Sequence, residues 1–213
     1  MFSSSPIPGN RWPHDMLITI ENDSQTLLEL LWIREAWQLQ PVGEDLPPRL
    51  VDAPSFVDGS KRASAAIERW QDSWPGMWEA CLRHAGAPRD PGVLDRLQSP
   101  EIGSDERARL LRDFVGPSWR DTFGAEALPD EVQQWRHMMF QRGVDRAPRP
   151  FDEEPERVAL DALISAWRSG LTTVVEIPCR GTFTRVVGAH ALLVTSETRD
   201  DPERYREALN MFH

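Results

Sequence analysis

Residues 171–196, LTTVVEIPCRGTFTRVVGAHALLVTS, are the one sustained run of β-branched and apolar residues in the chain, and they constrain its fold most. Residues 172–178 are rich in Val, Ile and Thr, side chains that fit a pleated, half-buried surface. Arg180-Gly181 is a turn signal, after which 182–187 resume with alternating character. Gly188 then interrupts, as at a bulge or a close backbone approach, and 189–196 are apolar enough for the inside of a sheet. Connections this short predict antiparallel neighbours, because a parallel pair needs a crossover of about a dozen residues or more. The expectation is a three-stranded meander with helices on one face. In its first turn, a Cys179-Arg180-Gly181 loop with Gly181 left-handed pairs Ile177 with Phe183. That register gathers Val175, Ile177, Phe183 and Val187 on one face, and a slip of one residue would scatter them.

The remainder reads mainly as helix. Residues 16–20 suit a short added edge strand. Ser24 suits an N-cap for a helix over 25–39. Leu27, Leu28, Leu30, Leu31, Trp32, Ile33 and Trp37 leave that helix no clear polar face, so it is expected to be the buried central helix. Residues 41–59, with four prolines and two glycines, predict a wrapped connector. A helix over 60–73 follows. Trp70, Trp74 and Trp78 recur every fourth residue, but Pro75 lacks an N–H and crowds the carbonyl four residues back. The expectation is a break there, with a second helix running to His84 and stopped at Gly86. Trp74-Pro75-Gly76 resembles the W-x-G of small secreted helical hairpins over those three residues only, and the length of this chain sets it aside.

Beyond a connector over 87–103, with one turn of helix at 93–97, Ser104 caps a helix with Asp105 and Glu106 in its first turn. Ala108, Leu111, Phe114 and Val115 are its expected buried face, and Gly116-Pro117 its end. Asp130 caps a helix to Arg142 with stripe Val132, Trp135 and Met139 and a stop at Gly143. An acidic start at 152–156 leads into a stripe of Leu160, Leu163, Ile164 and Trp167 that ends at Gly170. The last helix starts at Asp200 or Asp201, with Pro202 in its first turn, and buries Tyr205, Ala208, Leu209 and Phe212. The fold class is α+β: one mostly helical domain over 1–213 with a small antiparallel sheet. Its parts are a flexible arm (1–13), a mainly helical part (14–170), and the meander with the C-terminal helix (171–213).

A formal net charge of −10, with Lys61 the one lysine, opposes binding to phosphate backbones. Arg142, Arg146 and Arg149 are the only local basic patch. Two cysteines cannot build a disulfide framework, so a reducing cytoplasm is expected. Neither a secretory leader nor an apolar run of about 20 residues is legible, so no membrane association is expected.

Candidate chemistry is sparse. Cys179 to Arg185 has the C-x5-R spacing of phosphatases that work through a cysteinyl-phosphate, and the resemblance implies a Cys179 nucleophile with Arg185 holding phosphate. That chemistry wants a helix starting near the arginine, whereas 184–187 read as strand. Cys179 is then a tight-turn residue, for which Cys179→Ser is expected to be nearly neutral. Cys81 and His84 share a helix face, and with Cys179 and His190 could form a Cys₂His₂ zinc set. The plainer reading is two core thiols and a histidine favoured at a helix end.

Of nine tryptophans, Trp32, Trp37, Trp135 and Trp167 fall on buried stripes, while Trp12, Trp74 and Trp119 sit in loops or at helix ends and are candidates for a binding surface. The sequence therefore predicts a non-enzymatic cytoplasmic protein that binds another protein, without cofactor, metal, nucleic acid or membrane. The alternative is a small-molecule enzyme or ligand binder whose anion-accepting pocket at the C-terminal sheet uses Arg180, Arg185 and His190.

Overall fold

The structure is a computed structural model and describes residues 10–88, 92, 95, 96, 101, 103–145 and 149–212. In chain order its elements begin with strand β1 (Thr19–Glu21) and helices α1 (Gln25–Ala36), α2 (Gly59–Ser64) and α3 (Ile67–Ala85). Helices α4 (Asp105–Val115), α5 (Arg120–Phe123), α6 (Glu131–Asp145), α7 (Pro155–Val158) and α8 (Leu160–Arg168) follow. The chain closes with β2 (Thr173–Ile177), β3 (Thr184–Val187), β4 (Ala191–Thr195), α9 (Ser196–Asp200) and α10 (Pro202–Asn210). The fold is mostly helical α+β, as the sequence predicts, and an N-terminal strand does join the sheet.

The sheet is mixed, not an antiparallel meander. Its order is β1-β2-β4-β3, with β1 and β4 parallel to β2 and only β3 antiparallel to β4. Ile177 therefore lies opposite Thr195, and the expected Ile177–Phe183 pairing is absent. The crossover rule itself holds: residues 178–190 span the distance between parallel neighbours, and β3 is part of that crossover. Gly181 is left-handed as expected, at φ 71°. Face assignment also survives, because it depends on the alternation along each strand rather than on the partner. Val175, Ile177 and Val187 do face one core, with Phe183 packed against it.

Helices cover both faces of the sheet rather than one. Strands β2 and β4 carry buried apolar residues on both sides, as strands packed on two faces do. Val175, Ile177, Ala191 and Leu193 join α1, α3 and α5 in one core. Val174, Leu192 and Val194 join α8 and α10 in a second core, which holds Leu160, Leu163, Tyr205, Leu209 and Phe212. Helix α1 is buried nearly all round and is the central helix of the first core. Its cap differs from expectation: the Ser24 side chain makes no capping bond, and the Ser24 carbonyl simply accepts from the Leu28 N–H.

Three further expectations are corrected. Helix α3 runs unbroken through Pro75, and the break falls earlier, at Ala65 and Ala66, between α2 and α3. Trp70, Trp74 and Trp78 thus form one buried stripe, with Trp74 stacked on Trp78 at 5.4 Å. Helix α6 continues past Gly143 to Asp145. Helix α4 begins and ends where predicted, with the Ser104 side chain accepting from the Arg107 N–H and Gly116 at φ 82°. Yet it buries no residue, leaving Leu111, Phe114 and Val115 at 41%, 49% and 63% exposure. Of the turn at 93–97, residues 93, 94 and 97 lie outside the described residues, as do 1–9 of the arm.

Candidate functional site

The connector between α1 and α2 is held down by charge. Arg34, buried on α1, donates to the carbonyls of Pro47 (2.6 Å) and Pro48 (2.5 Å) and to Glu35 (3.1 Å). Burial pulls its pKa below the usual guanidinium value, while Glu35 acts in the opposite sense. Arg49 adds a bond to Glu35 at 3.3 Å. Beyond Arg49 the chain is stitched to the end of β2: the Val51 N–H donates to Pro178 (3.0 Å) and the Arg180 N–H to Arg49 (2.8 Å). Leu50 forms a β-bridge with Cys179. The stitching fixes Val51, Asp52 and Ala53 opposite α6, where the Trp135 indole donates to the Asp52 carbonyl at 2.8 Å.

Between that segment and α6 lies a groove of about 320 Å3, lined by Val51, Asp52, Ala53, Trp135, Met138, Met139 and Arg180. Val51 and Met138 are 52% and 55% exposed on its rim, whereas Trp135 is buried as its wall. Arg180 donates through Nε to the Leu50 carbonyl (2.9 Å) and through Nη2 to that of Val51 (3.4 Å). Its Nη1 makes no hydrogen bond to the described residues. The groove combines apolar and thioether surface, which adapts to varied side chains, with one oriented guanidinium.

Two other charge clusters are internal. Glu29 accepts from the Trp119 indole at 2.5 Å and from Gln25 at 2.8 Å, with Arg136 at 3.7 Å. Arg199 grips Glu156 with two bonds, at 2.9 and 2.8 Å, and Glu176 with a third at 2.9 Å. The Tyr205 hydroxyl donates to Glu156 at 3.1 Å. Burial disfavours the Arg199 charge, but the bonds and charge of Glu156, with that of Glu176, outweigh it and raise its pKa. Burial foremost raises that of Tyr205. The second cluster fastens α7, α9 and α10 to β2, and the first ties α1 to Trp119 and α6.

The predicted site residues scatter. Trp74 and Trp119 are buried, so neither can meet a partner. Position in a loop or beside a proline does not set depth: both rings pack in the first core, and each buried indole N–H finds an acceptor, the Leu30 carbonyl for Trp74, at 2.9 Å, and Glu29 for Trp119. Trp12 is half-buried, with its indole on the Met16 carbonyl (3.0 Å) and the Arg157 guanidinium 4.7 Å from its ring. Arg180 follows the C-terminal end of β2, while His190 precedes the start of its parallel neighbour β4, so the two lie at opposite ends of the sheet. Arg185 is engaged by Glu79 at 2.6 Å, and His190 Nδ1 lies 3.1 Å from the Gly170 carbonyl. The three form no common anion pocket.

Nor does Cys179 suit a nucleophile. It is fully buried, burial pushes its thiol up to about 12 with Arg34 opposing, and strand rather than helix follows Arg185. Cys81 is buried too and likewise pushed up to about 12 by burial. His84 Nε2 sits 3.2 Å from the Phe114 carbonyl, and no cluster of three or more metal-ligating side chains occurs among the described residues. Of the basic trio, Arg146 and the Arg142 side chain lie outside the described residues, and Arg149 is paired with Asp200 at 2.7 Å.

The sequence reading missed Val51 and Met138. The adjacent Met138-Met139 pair was the available signal, since two neighbours on a helix cannot both follow one stripe. No family model, curated protein or solved structure matches this chain.

Proposed function

We propose that the protein is a protein-binding module that docks its partner in the groove between α6 and residues 51–53. The observation that carries this reading is the exposed Val51 and Met138 rim over the Trp135 wall, on a segment held rigid by Arg34 and the bridge from Leu50 to Cys179. A rigid groove receives an anchor side chain without the entropic cost of first ordering itself. The net charge of −10 favours a basic protein partner over nucleic acid. Two buried, unpaired thiols support a reducing setting such as the cytoplasm, and no helix among the described residues is long and apolar enough to cross a membrane.

A second reading, a small anionic ligand in the same groove, is favoured by its volume and by Arg180, without Arg185 or His190. Affinity isolation from the native host with wild type, Met138→Glu and a control, Leu111→Glu on α4, tests the first. A protein retained by wild type and the control but lost with Met138→Glu supports docking in the groove. Equal capture by all three variants overturns it.

A further inference from the structure

The geometry points to the C-terminal residue of a basic partner chain as the occupant of this groove: an apolar terminal side chain against Trp135, Met138 and Met139, and its free carboxylate on Arg180. The inference rests on the docking reading above and specifies what is docked.

Three features converge on a chain end. Two nitrogens of Arg180 are committed to the carbonyls of Leu50 and Val51, which fixes the plane of its guanidinium. The remaining Nη1 makes no hydrogen bond to the described residues, and since Arg180 lines the groove, this charged donor is suited to an anionic oxygen there. Asp52, the other charged residue there, is already engaged in another interaction. The apolar surface and this donor share one volume of about 320 Å3, at the lower end of the roughly 300–1,000 Å3 of small-ligand sites. An apolar group and an anion must therefore come from nearly the same place on the occupant. An internal Asp or Glu carries its carboxylate on a different residue from the apolar anchor. Only a terminal residue holds a carboxylate on the same Cα as an apolar side chain. The net charge of −10 adds the last constraint, since it repels an acidic partner and draws a basic tail toward the surface.

The test uses fluorescently labelled pentapeptides Arg-Lys-Ser-Gly-Leu, with the label at the N-terminus and binding read as polarisation. Three forms are compared on the full chain: the free acid, its C-terminal amide, and an amide with Glu in place of Gly. The free acid is expected to bind at least tenfold more tightly than either amide, and Arg180→Gln to erase that difference. Because Arg180 also braces residues 50 and 51, the comparison between acid and amide in wild type stands as the primary measurement, needing no variant. Equal binding of acid and amide overturns the inference. So does a Glu-containing amide that matches the free acid, which would assign Arg180 to an internal acidic motif. Absence of binding by all three overturns it as well. A partner still lost with Met138→Glu would leave the docking reading standing.

Discussion

Cys179 illustrates what a single side chain experiences once the chain closes around it. It has no exposed surface, and burial pushes its thiol up to about 12, as it does that of Cys81. Both thiols should resist alkylation in the native protein and react once it is unfolded in urea. A raised thiol pKa keeps the folded protein protonated where the unfolded chain ionises. The resulting stability is therefore whole below about pH 9, the unfolded value, and is lost as pH climbs from there toward about 12. Urea midpoints measured from pH 8 upward should fall across that window. The near-neutral Cys179→Ser substitution expected of a tight-turn residue is also revised, since a hydroxyl buried there without a partner costs about 1–3 kcal/mol.

Arg199 gives the second prediction at this scale. Removing it leaves the buried Glu156 and the half-buried Glu176 without their cation, and Arg199→Ala should cost about 3–5 kcal/mol by urea unfolding. Neutralising the carboxylates as well, with Glu156→Gln and Glu176→Gln, should recover part of that loss. No recovery would mean that packing, not charge, holds the cluster.

At the scale of elements, α3 shows a local rule overruled by burial. A proline inside a helix costs about 3 kcal/mol. Three buried indoles of about 150 Å2 or more each, at about 25 cal/mol per Å2, contribute roughly 10 kcal/mol before entropy. Continuity through Pro75 is what puts Trp70, Trp74 and Trp78 on one face, so the burial of the indoles outweighs the proline and keeps the helix whole. Two glycines of this region make a paired prediction. A Cβ at Gly76 meets nothing within 4 Å, so Gly76→Ala should stabilise by about 0.5–1 kcal/mol through helix propensity. A Cβ at Gly86 would lie 2.6 Å from that of Ala191 on β4, and Gly86→Ala should destabilise by about 1–3 kcal/mol. Thermal midpoints of the two variants should move in opposite directions. The close approach at Gly86 is also how α3 ends directly on the sheet.

For the whole molecule, the sheet is a shared wall between two cores. Leu30 belongs to the core of α1 and α3, and Leu209 to the core of α8 and α10, while adjacent residues of β2 and β4 serve both. Leu30→Ala and Leu209→Ala should each cost about 2–5 kcal/mol. Both should lower the midpoint of one common urea transition, followed by tryptophan fluorescence and by circular dichroism. Two transitions that respond separately to the two substitutions would show that the cores melt independently.

The sequence alone determined whatever depends on local chemistry and periodicity. The central α1, the cap at Ser104, a start for α10 at Asp200 or Asp201, its buried row, the left-handed Gly181 and the faces of β2 were all legible from spacing and residue type. Tertiary structure decided everything set by what lies across a gap. Strand order changed because β3 could serve in the crossover that lets β2 and β4 pair in parallel. The apolar row of α4 reads like a buried stripe but stays exposed, with no layer over it among the described residues. Trp74 and Trp119 are packed inside the first core, their indoles satisfied by acceptors 44 and 90 residues away in the chain. The groove exists only because Arg34, Leu50, Cys179 and Trp135, from four separate stretches, hold residues 51–53 against α6. Periodicity reports which way a side chain points along its own element; the partner it meets is fixed only when distant elements pack.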